Sequence, residues 1–147
     1  PVGDARVERG WQRPIVDQLV LAELIASGGY DRQVRRMRLR YRRRRDLLVA
    51  ELAHRAPTVR VSGIAAGLHV IVELPPDGPG ERATIAAGLD RGLALYGLST
   101  TGYPHSEQSG SRRPALVVGY ATPAEHTYRS AVDALVTLLA DLTPARA

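Results

Sequence analysis

Residues 31–57, DRQVRRMRLRYRRRRDLLVAELAHRAP, decide how the rest of the chain is read. Val34, Met37, Tyr41, Leu48 and Leu52 recur at helical spacing, Asp31 stands where an N-cap is expected, and Pro57 stops the run. The spacing predicts a helix from about Arg32 to about His54. At roughly 1.5 Å per residue it is more than 30 Å long, enough to cross a domain or bridge two. Its apolar stripe is expected to pack on a sheet, with arginines over the remaining circumference. Nine arginines and no acid stand between Arg32 and Arg45, while the whole chain carries only +5, so the remainder is acidic on balance.

Upstream, residues 1–13 (PVGDARVERGWQR) have no periodicity and are expected to be a linker or the trailing end of something larger. Pro14 is placed to open a helix, since its missing N–H costs nothing at a first helical position. Ile15, Leu19, Ala22 and Ile25 follow at helical spacing, and Gly28-Gly29 ends the run as a C-cap pair does.

Downstream, the period changes from helical to alternating. Val59 and Val61 alternate with polar neighbours, and Leu68–Leu74 has a β-branched centre, so the two are expected to pair as an antiparallel hairpin. Pro75 to Gly80 is a loop. A short helix from Glu81 to about Arg91 and a short strand, Leu93–Tyr96, come next. The polar stretch from Gly97 to Pro114 reads as a long loop, of the kind that is functional or disordered. Ala115–Tyr120 reads as a strand and Pro123 to about Leu142 as a closing helix, with Ala131, Leu135, Leu138 and Leu142 inward. The order ααββαββα predicts an α+β, two-layer domain: long N-terminal helices packed on a small, mainly antiparallel sheet.

Composition removes several function classes. The chain has 147 residues, 44% of them hydrophobic and 24% charged, which is one globular domain's worth. It has no run of eighteen apolar residues and no signal-peptide pattern, so no membrane partner is expected. With no cysteine, thiolate nucleophiles and zinc fingers are excluded, and a cytoplasmic location fits. All twenty basic residues are Arg, and Lys, Phe and Asn are absent, as a GC-rich coding source would give. Without Lys the chain cannot form a Schiff base or supply the lysine of a phosphate-binding loop. His54, His69, His105 and His126 show no i,i+4 pairing, so a metal site is not expected. No serine stands in a G-x-S-x-G elbow, and the GIAAG turn at 63–67 is not a phosphate fingerprint. The arginine helix has two readings: a phosphate-binding, nucleic-acid module, or a scaffold helix whose arginines are solvated or paired. Its apolar stripe and lack of interleaved aromatics beyond Tyr41 favour the scaffold.

One stretch carries more. Gln18-Leu-Val-Leu-Ala-Glu-Leu-Ile-Ala-Ser-Gly-Gly-Tyr30, with Asp31-Arg-Gln-Val-Arg-Arg-Met-Arg38, Tyr41 and Arg43-Arg-Arg-Asp46, resembles the Q-x-x-L-A-x-x-I-x-x-G-x-Y-x-x-H-x-R-R-M-R-x-x-Y-x-x-R-R-D segment of fold-type I aminotransferases. More narrowly, it resembles the MocR-type regulators of the GntR family. Val61 to His69 is similar to the glycine-rich turn and strand that follow there, and Val118-Gly-Tyr-Ala121 to the last strand. The resemblance runs from about Pro14 to Leu142.

That resemblance implies a C-terminal, aminotransferase-like small domain (residues 14–147) of a pyridoxal-phosphate-responsive transcription regulator. Its implied roles are to close the effector site and to support a homodimer. The cofactor would be held by a large domain missing from this chain, and DNA by a missing N-terminal winged helix. Two departures stand out: Gln33 replaces the usual His, and Val117 stands where aminotransferases carry the Arg that clamps the substrate carboxylate. The latter argues against ordinary α-amino-acid transamination, although the small domain of a true pyridoxal-phosphate-dependent aminotransferase is the alternative. No residue of this chain is assigned as catalytic. For the effector carboxylate the nearest replacement cations are Arg113 and Arg112, at the start of the last strand; an Arg fork suits a carboxylate because it donates two parallel hydrogen bonds.

Overall fold

The computed structural model describes residues 15–62, 67–99 and 113–143. Helix α1 (Ile15–Ala26) and helix α2 (Gly29–Arg55) come first, followed by strands β1 (Arg60–Ser62) and β2 (His69–Glu73). Helix α3 (Gly80–Leu89), strands β3 (Tyr96–Gly97) and β4 (Ala115–Gly119), and helix α4 (Glu125–Leu142) complete the described elements. This is the expected α+β class in the expected order. The chain divides into two compact units, Pro1–Arg40 and Tyr41–Ala147, with the boundary inside α2.

In the first unit α1 is mainly apolar, with Asp17, Gln18 and Glu23 as its polar residues. Ile15, Val16, Leu19, Val20 and Ile25 are all more than half exposed, and no residue of α1 is buried. Gly28 ends α1 with φ +69°, a left-handed conformation that an L side chain rarely adopts. Its N–H donates to Ile25 O at 3.0 Å. Helix α2 begins immediately afterwards at Gly29, so Asp31 lies in the first turn rather than at the cap. There it still complements the positive end of the helix. Val34 and Met37 are half-exposed, where their spacing predicts burial.

The second unit is built on a four-stranded antiparallel sheet in the order β1-β2-β4-β3. Alternation sets its two faces. Val70, Val72, Leu116 and Val118 point one way, into a core with Leu48 and Leu52 of α2 and Tyr128, Val132, Leu135, Val136 and Leu139 of α4. Val72, Leu116, Val136 and Leu139 are fully buried, each worth about 1.5–3 kcal/mol of transfer free energy. His69, Ile71, Glu73, Val117 and Gly119 point the other way, where all are at least partly exposed. The inward set of α4 is partly the expected one: Leu135 and Leu138 are buried, Ala131 and Leu142 are only half-buried, and Tyr128, Val132, Val136 and Leu139 are buried as well. Strand β3 also lies later than expected, at Tyr96–Gly97, because Leu93 and Leu95 pack on the core from the connecting segment instead of pairing.

One arginine of the basic run is part of this core. Arg44 is 3% exposed. Its Nη1 donates to Tyr120 O (3.3 Å) and Ala121 O (3.0 Å), and its Nη2 to Glu125 Oε2 (3.0 Å). Its guanidinium lies 4.5 Å from the Tyr128 ring centroid, and Tyr128 Oη donates back to Arg44 O at 2.8 Å. Helix α2, the turn after β4 and the start of α4 are thereby joined at one side chain. Arg44 Nε is buried without a hydrogen-bond partner among the described residues. Burial pushes the Tyr128 hydroxyl up to about 12, with the neighbouring Arg44 charge pulling it down in part.

Candidate functional site

The sheet face turned away from the core carries the groups that can meet a ligand. Val117, in the position where the resemblance implies a carboxylate clamp, lies between Ile71 of β2 and Tyr96 of β3 in register. It is half-exposed and offers no hydrogen bond. Further up the same face, Arg113 lines a pocket of about 380 Å³ with Ser62, Ile71, Glu73, Leu98 and Ala115. Alternation explains the grouping. Residues 113, 115 and 117 project to one side, Ala115 pairs with Glu73, and Ile71 pairs with Ser62 and Val117.

A buried carboxylate anchors the backbone beside this pocket. Glu81, in the first turn of α3 and 8% exposed, accepts hydrogen bonds at Oε2 from Ser99 N (3.0 Å) and Ser99 Oγ (2.6 Å). At Oε1 it accepts from Ala115 N (3.0 Å). Leu98 N donates to Ala115 O at 2.8 Å, and Leu74 N to Pro114 O at 2.7 Å. Glu81 thus holds together the chain leaving β3 and the chain arriving at β4, and Arg113 stands two residues before the anchored Ala115.

A larger cavity, about 650 Å³, lies beside the other end of β4. The segment Gly92–Tyr96, Val117 to Gly119, Thr122, Pro123, and Ala131 and Leu135 of α4 surround it, with His69 at the sheet. Its lining is apolar except for His69, Thr122 and Tyr96. A Cβ on Gly119 would stand 3.3 Å from His69 Cδ2, so the bare glycine gives the imidazole its place.

Of the two arginines expected to meet an effector, Arg113 is placed at the smaller pocket and Arg112 lies outside the described residues. Pro14, His105 and residues 63–66 of the GIAAG turn lie outside them too. Gln33 and His54 are exposed on α2, and His126 is exposed on α4. Among the described residues no group of three or more potential ligands is placed to hold a metal ion. No helix there is long and apolar enough to cross a membrane. Glu73 and Glu81 were not singled out by the sequence. Alternation from His69 through Ile71 puts Glu73 on the outer face and was a usable signal. Nothing local in sequence foretells that Glu81 meets residues 18 and 34 positions away.

No family model matches the sequence. Over 126 residues, 85% of this chain, it is 30% identical to the uncharacterized HTH-type transcriptional regulator YhdI of Bacillus subtilis (strain 168). The structure is similar to LysN, the α-aminoadipate aminotransferase of Thermus thermophilus, solved in complex with N-(5'-phosphopyridoxyl)-L-leucine. That likeness has a TM-score of 0.69 at 21% identity and covers 95% of this chain. The chain spans 26% of the regulator's length and 34% of the aminotransferase chain. In one chain, sequence similarity to an HTH-type transcriptional regulator is thus joined to a fold similar to part of an aminotransferase.

Proposed function

We propose that this chain is the C-terminal aminotransferase-like small domain of a pyridoxal-phosphate-responsive transcription regulator, closing the effector site and supporting a homodimer in the cytoplasm. The observation that carries this reading is the pairing of regulator similarity in sequence with an aminotransferase fold. Val117 supports regulation over transamination, because the position of the carboxylate clamp is apolar.

The residues present do not fit the cofactor on their own. The chain has no lysine to meet its aldehyde, so the cofactor belongs to the large domain of the longer protein, as does DNA to a winged helix. The seven large apolar side chains exposed on α1 support such a partner, since contiguous exposed apolar surface marks an interaction site. In this reading Arg113, with Arg112, supplies the cation for the effector carboxylate.

Reading the coding sequence upstream of residue 1 and purifying its full product tests the proposal. A winged helix, a lysine-bearing large domain, bound pyridoxal phosphate and amino-acid-dependent DNA binding are the expected outcome. A product with the large domain but no winged helix, active in transamination, would establish the enzyme reading instead. Salt-sensitive DNA binding by the 147-residue chain alone would favour the arginine-helix module.

A further inference from the structure

We infer that the arginine face of α2 contacts the phosphates of duplex DNA, as a sequence-independent surface that adds to the winged helix of the longer protein. The inference rests on the regulator reading, which brings the DNA. Arg35, Arg36, Arg38, Arg42 and Arg43 are all exposed, and none makes an ion pair or hydrogen bond with a described residue. Elsewhere an arginine with an acid in reach takes it: Arg44 meets Glu125, Arg55 meets Glu51 and Asp133, and Arg91 meets Asp141. From Arg32 to Arg45 there is no acid, and the flanking Asp46 is taken by Arg45. Like charges three and four residues apart repel along a helix, as Arg35 and Arg38 or Arg38 and Arg42 do here, and an outside polyanion relieves that repulsion.

The geometry of the single helix sets the partner. At roughly 100° per residue the five arginines fall within about half of its circumference, opposite the buried Arg44 and Leu48. A scaffold stripe and a phosphate face therefore share α2 without competing. From Arg35 to Arg43 is about 12 Å of axis at about 1.5 Å per residue, so five charges stand at a density of the same order as the phosphates of a duplex, one per roughly 1.7 Å. The guanidinium fork matches a phosphate with two parallel hydrogen bonds. No aromatic stands on this face to stack single-stranded bases. Leu39 is the one large apolar residue exposed among the arginines, which leaves no apolar surface to bury in a bilayer. A surface of this kind positions a duplex without reading its sequence.

The test uses the full product of the longer gene and a fluorescein-labelled random-sequence duplex of about 40 base pairs, titrated by anisotropy at salt from about 50 to 200 mM. Arg35→Gln, Arg38→Gln and Arg42→Gln combined should flatten the slope of log affinity against log salt by about 2–3 and weaken binding by about tenfold or more. Gln has much the same helix propensity as Arg, and an unchanged thermal midpoint shows the fold intact. Arg60→Gln, Arg82→Gln and Arg91→Gln combined remove the same charge from exposed positions elsewhere and should leave the slope unchanged. An unchanged slope in the α2 variant, or equal flattening in both variants, overturns the surface and leaves the regulator reading intact. A product that binds no duplex overturns both. Binding of the parent to phosphatidylserine vesicles, lost in the α2 variant while duplex binding stays unmoved, would make the face a membrane surface and overturn the DNA assignment.

Discussion

Replacing Arg44 by Ala should destabilise the second compact unit far more than the same change two positions earlier. The side chain removed fills a site that is 3% exposed and donates to two backbone carbonyls, Tyr120 O and Ala121 O. Leaving a buried acceptor unpaired costs about 1–3 kcal/mol. Loss of the guanidinium over the Tyr128 ring adds about 0.5–2 kcal/mol. The contact with Glu125 contributes little, because that carboxylate is 69% exposed and water replaces its partner. The expected total is about 3–5 kcal/mol, a large share of the roughly 5–15 kcal/mol that holds a domain folded. Arg42 is exposed on the same helix, and Arg42→Ala should cost under about 0.5 kcal/mol. Urea unfolding followed by circular dichroism reads both, provided the slopes of the transitions agree. Arg44→Lys should recover only part of the loss, since an ammonium cannot reproduce the planar fork. Equal midpoints for the Arg44 and Arg42 variants would refute the account of Arg44 as a core residue.

Other consequences follow from the buried groups and the missing lysine. Glu81→Ala should cost about 2–4 kcal/mol, because the N–H groups of Ser99 and Ala115 lose their acceptor; a thermal midpoint equal to that of the parent would contradict the clamp. The Tyr128 hydroxyl stays protonated to about pH 12 in the folded chain, whereas in the unfolded chain it ionises near 10. Stability should therefore be full below about pH 10 and decline between about 10 and 12, by of order 1–2 kcal/mol relative to Tyr128→Phe; parallel pH profiles for the two proteins would rule this out. Borohydride reduction of the chain mixed with pyridoxal phosphate should leave every side chain unmodified, and peptide analysis showing a pyridoxyl adduct on one would overturn that expectation.

Much of the fold is written in local pattern. The switch from helical to alternating spacing after Pro57, the Gly28 stop and the β-branched centre of β2 each lie within a few residues of what they specify. What stayed hidden depends on distance along the chain. Arg44 reads as one more solvated arginine because the carbonyls and ring that bury it come from residues 76 to 84 positions later. On α4 the spacing found Leu135 and Leu138, but the burial of Tyr128 depends on the same distant Arg44 and was not legible. At the candidate site Arg113 was legible from its place before β4. Glu73 was readable from alternation alone, but its significance needs the pairing of β2 with β4, which no local signal announces.

The Glu81 clamp has a consequence for how the chain can be altered. One carboxylate ties Ser99 to Ala115, so the end of β3 and the start of β4 are held together by a group that lies outside both strands. Lengthening a connection whose ends are already held costs little, about 0.6 kcal/mol for each doubling. The position works as a socket. Segments of different length and chemistry can be exchanged there while the sheet, the core and the Arg44 lock keep their register.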